Sequence, residues 1–214
     1  MRKILFLTAI IILIVNVVSA QKAHFGFTAG PVAATMFQKV SKKKSTADYR
    51  YGVIAGVFLD IPMQKNGSFQ PAINFVTKGK REDYAQGNVN GTLKTDISYL
   101  EADLSVIFRI KYKTGNVILG GGPVSSLPIS GTRVFDVANA AGKEELEFGD
   151  KTTSDYNGTD FGLKGRLGYE FGKNLSITAS YYYGINRQFV GGDPKDKLYH
   201  RYFALQVGYK IAKK

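Results

Sequence analysis

The chain has 214 residues, no Cys and no Trp, and 29 Lys and Arg against 17 Asp and Glu, for a formal net charge of +12. That length fits one domain with a sizeable core. The lack of Cys excludes a disulfide framework, so packing or strand closure has to hold the fold. The cations are dispersed rather than patterned on one face, which excludes a nucleic-acid partner and leaves a milder attraction to anionic surfaces.

Residues 1–20 begin with Arg2 and Lys3, continue through an apolar run from Ile4 to Val15 and end on Val18-Ser19-Ala20. This layout predicts a secretory signal peptide cleaved after Ala20, in preference to a retained anchor. No later stretch approaches the length of an apolar spanning helix, so a membrane crossing would fall to strands closed into a barrel. Residues 21–214 are predicted to form that single domain; without Arg2 and Lys3 it carries 27 cations and 17 acids.

Eight strand-like segments follow in chain order: 23–32, 50–60, 67–78, 96–111, 116–127, 160–171, 174–186 and 198–212. None shows a helical period, and most reach the roughly 9–11 residues that a tilted membrane strand needs. The connections after the second, fourth and sixth segments are short (IPMQKN, YKTG, GK), and those after the first, third, fifth and seventh are long. Short periplasmic turns alternating with longer outer loops are the rhythm of outer-membrane barrels, whose even strand number returns both termini to one side. The predicted fold is therefore all-β: an eight-stranded antiparallel up-and-down transmembrane β-barrel with four longer outer loops.

Parity within the segments gives each strand two unlike faces. In DFGLKGRLGYEF, Phe161, Leu163, Leu167, Tyr169 and Phe171 oppose Lys164, Arg166 and Glu170. The fourth segment sets Leu100, Ala102, Leu104, Val106, Phe108 and Ile110 against Glu101, Asp103, Ser105, Arg109 and Lys111. In a membrane barrel the oily faces meet lipid and the polar faces line the lumen. Glu101, Asp103, Arg109, Lys164, Arg166, Glu170 and Lys210 are thus the predicted lumen charges. An interior just wide enough for side chains predicts that they plug the barrel as a crossed ionic network, with a narrow ion path as the rival reading. The segment with Gly120-Gly121-Gly122 and Pro123 has no clear facing, and the glycine run reads as strand rather than phosphate loop, since no Lys-Ser/Thr follows it.

Lys42, Lys43 and Lys44 fall in the first long connection and read as a solvated run, with contact to surface glycolipid phosphates as the functional alternative. Aromatic residues near the segment ends suit the membrane interfaces. His24 and His200 are placed at opposite ends of the barrel. No triad, metal-ligand spacing or nucleotide motif accompanies them, which predicts a non-enzyme without metal or cofactor.

HFGFTAG at 24–30, FQPAINFVTKG at 69–79, ISYLEADLSVIFR at 97–109, ILGGGP at 118–123, DFGLKGRLGYEF at 160–171 and FALQVGYKI at 203–211 resemble, in order and spacing, the PorT-family outer-membrane β-barrel proteins of Bacteroidetes-type bacteria. The resemblance spans nearly the whole mature chain and implies a bacterial outer-membrane barrel inserted by the barrel-assembly machinery, with membrane lipid as its surroundings. Two departures stand out. Ala72 occupies the position of the family's acidic residue after Gln-Pro, and Ala-Lys-Lys follows Ile211 where relatives stop at an aromatic. The family's namesake is implicated in type IX secretion, which makes a secretion accessory one alternative function. A porin-like channel for small solutes is another. A soluble lipocalin-like carrier is a third, and it requires the apolar faces to point inward.

Overall fold

The computed structural model describes residues 23–40, 43–63, 66–86, 89–137, 140–149, 154–188 and 197–211. Among them the chain forms ten strands and no helix: β1 (His24–Val40), β2 (Lys43–Thr46), β3 (Arg50–Pro62), β4 (Gly67–Gln86), β5 (Val89–Tyr112), β6 (Gly115–Val137), β7 (Ala140–Glu145), β8 (Asp160–Phe171), β9 (Leu175–Gly184) and β10 (Lys197–Ile211). Eight of them make a ring in the order β1, β3, β4, β5, β6, β8, β9, β10, each antiparallel to the next. β10 pairs back onto β1, from Phe25 opposite Ile211 to Lys39 opposite Lys197. The two short strands, β2 and β7, pair only with β1 and β6 and stand outside the ring.

Closure leaves no free edge, and the facing follows from the period of two. Along β8, Phe161, Leu163, Leu167 and Phe171 are exposed while Asp160, Lys164 and Glu170 are buried. On β5, Leu100, Leu104, Phe108, Ile110 and Tyr112 face out and Glu101, Asp103, Ser105 and Ile107 face in. β9 and β10 repeat this with Leu175, Ile177, Tyr181 and Tyr183 and with Phe203, Leu205, Val207 and Tyr209 outward. The apolar surface therefore lies outside the ring. That overturns the soluble-carrier alternative, which needs it inside.

The outward apolar band has a sharp upper limit. Phe75 on β4 lies opposite Leu100 on β5; one step further Thr77 lies opposite Ser98, and the outward positions above are Gly79, Arg81 and Asp96. From Leu100 down to Tyr112, at about 3.4 Å per residue and a tilt of roughly 40°, the band rises about 30 Å, which matches the hydrocarbon core of a bilayer.

The long connections are not the loops that the sequence predicts. β4 runs on to Gln86 and β5 begins at Val89, so residues 79–95 are mostly a continuous hairpin paired from Gly79 opposite Asp96 to Gln86 opposite Val89. β6 likewise continues to Val137 and turns into β7, and β1 extends to Val40 against β2. Pairing meets the backbone hydrogen-bonding need of these polar segments, which would otherwise rest on water. At the opposite end, the connections 63–66, 113–114 and 172–174 are short, as expected. Lys113 takes φ 53°, a left-handed turn position that suits Gly or Asn better than Lys.

The glycine run of β6 sits where strands approach closely. A Cβ on Gly122 would come within 2.0 Å of the Leu104 carbonyl oxygen, and one on Gly120 within 2.4 Å of that of Val106. On β6, Leu119, Pro123 and Leu127 face out, whereas Ile118, Val124 and Ser126 face in, which settles the orientation of this strand.

Candidate functional site in the barrel lumen

Inward positions of five ring strands send ten charged side chains into the lumen, and every one of them has an opposite partner. At the short-turn end, Asp60 (β3) and Glu170 (β8) each meet two cations. Arg109 (β5) reaches Asp60 at 2.9 Å and Glu170 at 3.1 Å, and Lys210 (β10) reaches Glu170 at 2.8 Å and Asp60 at 3.3 Å. Arg109 also donates to Ser68 at 2.7 Å, and Asn116 donates to Glu170 at 3.2 Å. Planar guanidinium geometry allows one Arg to hold three acceptors on three strands at once.

Midway up, Asp103 accepts from Lys164 at 3.0 Å and from Arg166 at 3.1 Å, and Arg166 also donates to Gln70. Lys164 continues to Glu101. Above it, Lys78 is fully buried and lies 2.9 Å from Asp160, 2.9 Å from the Ser126 hydroxyl and 3.5 Å from Glu101. Three tyrosine rings enclose the Lys78 ammonium: its Nζ is 4.1 Å from the centroid of Tyr182, 4.7 Å from that of Tyr99 and 5.5 Å from that of Tyr202. Such faces attract a desolvated cation. The Tyr202 hydroxyl donates to Glu101, and Tyr99 shares a 3.3 Å hydrogen bond with His200 Nε2.

Five cations (Lys78, Arg109, Lys164, Arg166, Lys210) thus face five carboxylates (Asp60, Glu101, Asp103, Asp160, Glu170). Between the two groups lies a cavity of about 30 Å³ lined by polar groups including Gln70, Asn74, Arg109, Arg166 and Glu170. That is room for one or two waters and for no larger solute. Around Lys78 the interior also holds an apolar cluster, with Met36, Ile54, Val76, Ile97 and Leu198 packed together. Leu146 and Tyr156, from the β6–β8 connection, close it. On that outer part, burial alone would lower the Arg133 guanidinium, but Tyr156, Asp155 and Glu144 around it hold it above its ordinary value.

All seven sequence-predicted lumen residues stand in this constellation. Three more charged members, Asp60, Lys78 and Asp160, escaped the sequence reading, as did the tyrosine cage. Their signal was parity. Lys78 follows Gln70, Ala72, Asn74 and Val76 on one face, and Asp160 shares the face of Lys164, but both lie at segment ends where charge reads as loop. Ala72 is buried on the cavity wall, so the carboxylate that resembling proteins place there has no counterpart. Lys42 lies outside the described residues. Lys43 and Lys44 begin β2, paired with Val40 and Lys39, so that run is strand rather than solvated loop because β1 extends to meet it. His24 and His200 do lie at opposite ends. His200 is wholly buried, and among the described residues no group of His and acids could hold a metal.

A closed eight-stranded ring, oily outside and ionic within, is an integral outer-membrane β-barrel. Residues 19–190 match the model for the outer membrane protein beta-barrel domain, and the chain belongs to that family. Membership puts the protein in the bacterial outer membrane. No curated protein matches the chain. Among solved structures it is similar to the outer membrane protein OprG from Pseudomonas aeruginosa, at 14% identity over 90% of this chain and 98% of that one, with a TM-score of 0.48. Ail, the attachment invasion locus protein of Yersinia pestis, shares 13% identity over 89% and 99%, with a TM-score of 0.45. Neisserial surface protein A shares 14% over 87% and 96%, with a TM-score of 0.41.

Proposed function

We propose that this protein is a non-enzymatic outer-membrane barrel with a plugged lumen, whose outer hairpins carry a structural, assembly or surface-contact role. The observation that carries the reading is the balanced set of five cations and five carboxylates interlocked across the lumen. A solute path would require several of these ion pairs to part together, and each parting leaves a charge uncompensated in a low dielectric. Planar-bilayer recording on the purified protein tests it. The expected result is no stable unit conductance; porin-scale steps would reverse the reading in favour of a small-solute channel.

Within its family, the order of FQPAINFVTKG, ISYLEADLSVIFR and FALQVGYKI supports a PorT-type member. The secretion role of that type's namesake is fold-level analogy and is not carried over. Export on a signal peptide removed after Ala20, followed by insertion through the barrel-assembly machinery, completes the reading; the N-terminal residue of the mature protein tests the cleavage site. Surface glycolipid is the proposed outer partner of Lys42, Lys43 and Lys44. Unchanged glycolipid association after all three are replaced with Gln would remove that partner.

A further inference from the structure

The excess positive charge of the chain is unevenly placed. Residues 21–214 carry 27 cations and 17 acids. The segments on the long-connection side (35–50, 79–98, 129–159 and 184–201) hold fifteen cations and twelve acids, and the lumen holds five of each. The remaining seven cations are Lys22, Lys65, Lys111, Lys113, Lys173, Lys213 and Lys214; of these the described Lys111, Lys113 and Lys173 lie at the short-turn end. Its acids are Asp60 and Glu170 alone, and both are buried against Arg109 and Lys210. Among the described residues this end is therefore a basic rim with no exposed acid to offset it. Lys22, Lys65, Lys213 and Lys214 lie outside the described residues; Lys111, Lys113 and Lys173 are exposed.

We propose that this rim binds the anionic headgroups of the inner, periplasmic leaflet. The height of the lysines favours lipid. Lys111 and Lys113 flank Tyr112, whose ring lies 5.4 Å from the Lys113 ammonium, and Lys173 follows Phe171 by two residues. Tyr112, Tyr169 and Phe171 form the lower end of the outward apolar band, joined by a 2.9 Å hydrogen bond from the Tyr169 hydroxyl to the Tyr112 carbonyl. One or two residues beyond that girdle a side chain is at the level of lipid phosphate, where Lys acts as a point-charge partner. The turn offers a second sign: Lys113 holds a left-handed conformation that Gly or Asn would adopt with less strain. The proposal rests on the membrane placement of the barrel and is independent of whether its lumen conducts.

Native mass spectrometry of the full, detergent-solubilised barrel, with phosphatidylglycerol and phosphatidylcholine as competing probes, tests this. The wild type is expected to retain phosphatidylglycerol preferentially, less so as salt rises. Lys111→Gln with Lys113→Gly and Lys173→Gln is expected to weaken retention roughly a hundredfold, at about fivefold per lysine. Arg81→Gln with Lys94→Gln and Lys143→Gln, on the outer hairpins, is expected to leave it unchanged. Lys173→Gln alone gives the fivefold step if the triple variant does not fold. Equal retention of the two lipids by wild type, no loss in the rim variants, or an equal loss in the outer control would overturn the proposal. Co-sedimentation with purified peptidoglycan that the rim variants lose, while lipid retention is unchanged, would overturn it in favour of the cell wall.

Discussion

The two halves of the lumen hold the same chemistry in unlike surroundings. In the upper half the side chains of Lys78, Glu101 and Asp160 have no exposure at all and tyrosine rings fill the space around them. In the lower half Arg109 and Lys210 keep 16% and 13% exposure, and the water-sized cavity lies alongside. A charge in the upper half has only its protein partners, whereas one in the lower half has partial access to solvent. Equal numbers of ion pairs therefore do not mean equal sensitivity. Desolvation decides how much each partner matters.

The largest effect should come from Lys78→Met. It leaves Asp160 without its cation in a dry, aromatic setting, at a cost of about 3–5 kcal/mol. Urea unfolding followed by the heat-modifiable gel shift measures it, and a loss below about 1 kcal/mol would erase the distinction between the halves. Adding Asp160→Asn to Lys78→Met is expected to recover roughly half of that loss, because the orphaned charge is gone; a double-mutant cycle with no coupling would contradict the assigned pair. Lys210→Met in the lower half is expected to cost about 1–2 kcal/mol, between exposed and buried pairs, since Arg109 still serves Asp60 and Glu170. Lys113→Gly, outside both halves, is the smallest case. Relief of the left-handed strain, less the added freedom of Gly in the unfolded chain, should give a gain of about 0.5 kcal/mol by the same assay.

The sequence revealed the ring and its sidedness because parity and connection rhythm are local properties. Leu100 to Ile110 alternate so regularly that their facing needs no tertiary information. The tyrosine cage was not legible for the opposite reason: Tyr99, Tyr182 and Tyr202 lie on three strands, and only the register of those strands turns their rings toward Lys78. Tyr182 also sits between Tyr181 and Tyr183, which face lipid, so composition alone disguises the odd one. The outer hairpins were missed because Lys80, Arg81, Glu82 and Asp83 carry the polarity of a loop. Above the membrane both faces of a strand can meet water, and alternation no longer marks it.

The seam between β1 and β10 also governs when the barrel can finish forming. Thr28 accepts a hydrogen bond from Gln206, 178 residues later in the chain. Contacts of such high sequence separation form late, so the ring stays open until the last strand arrives. Until that moment β1 and β10 are two bare edges, each able to recruit a strand from another chain. The seam is therefore the point at which delayed insertion turns into aggregation.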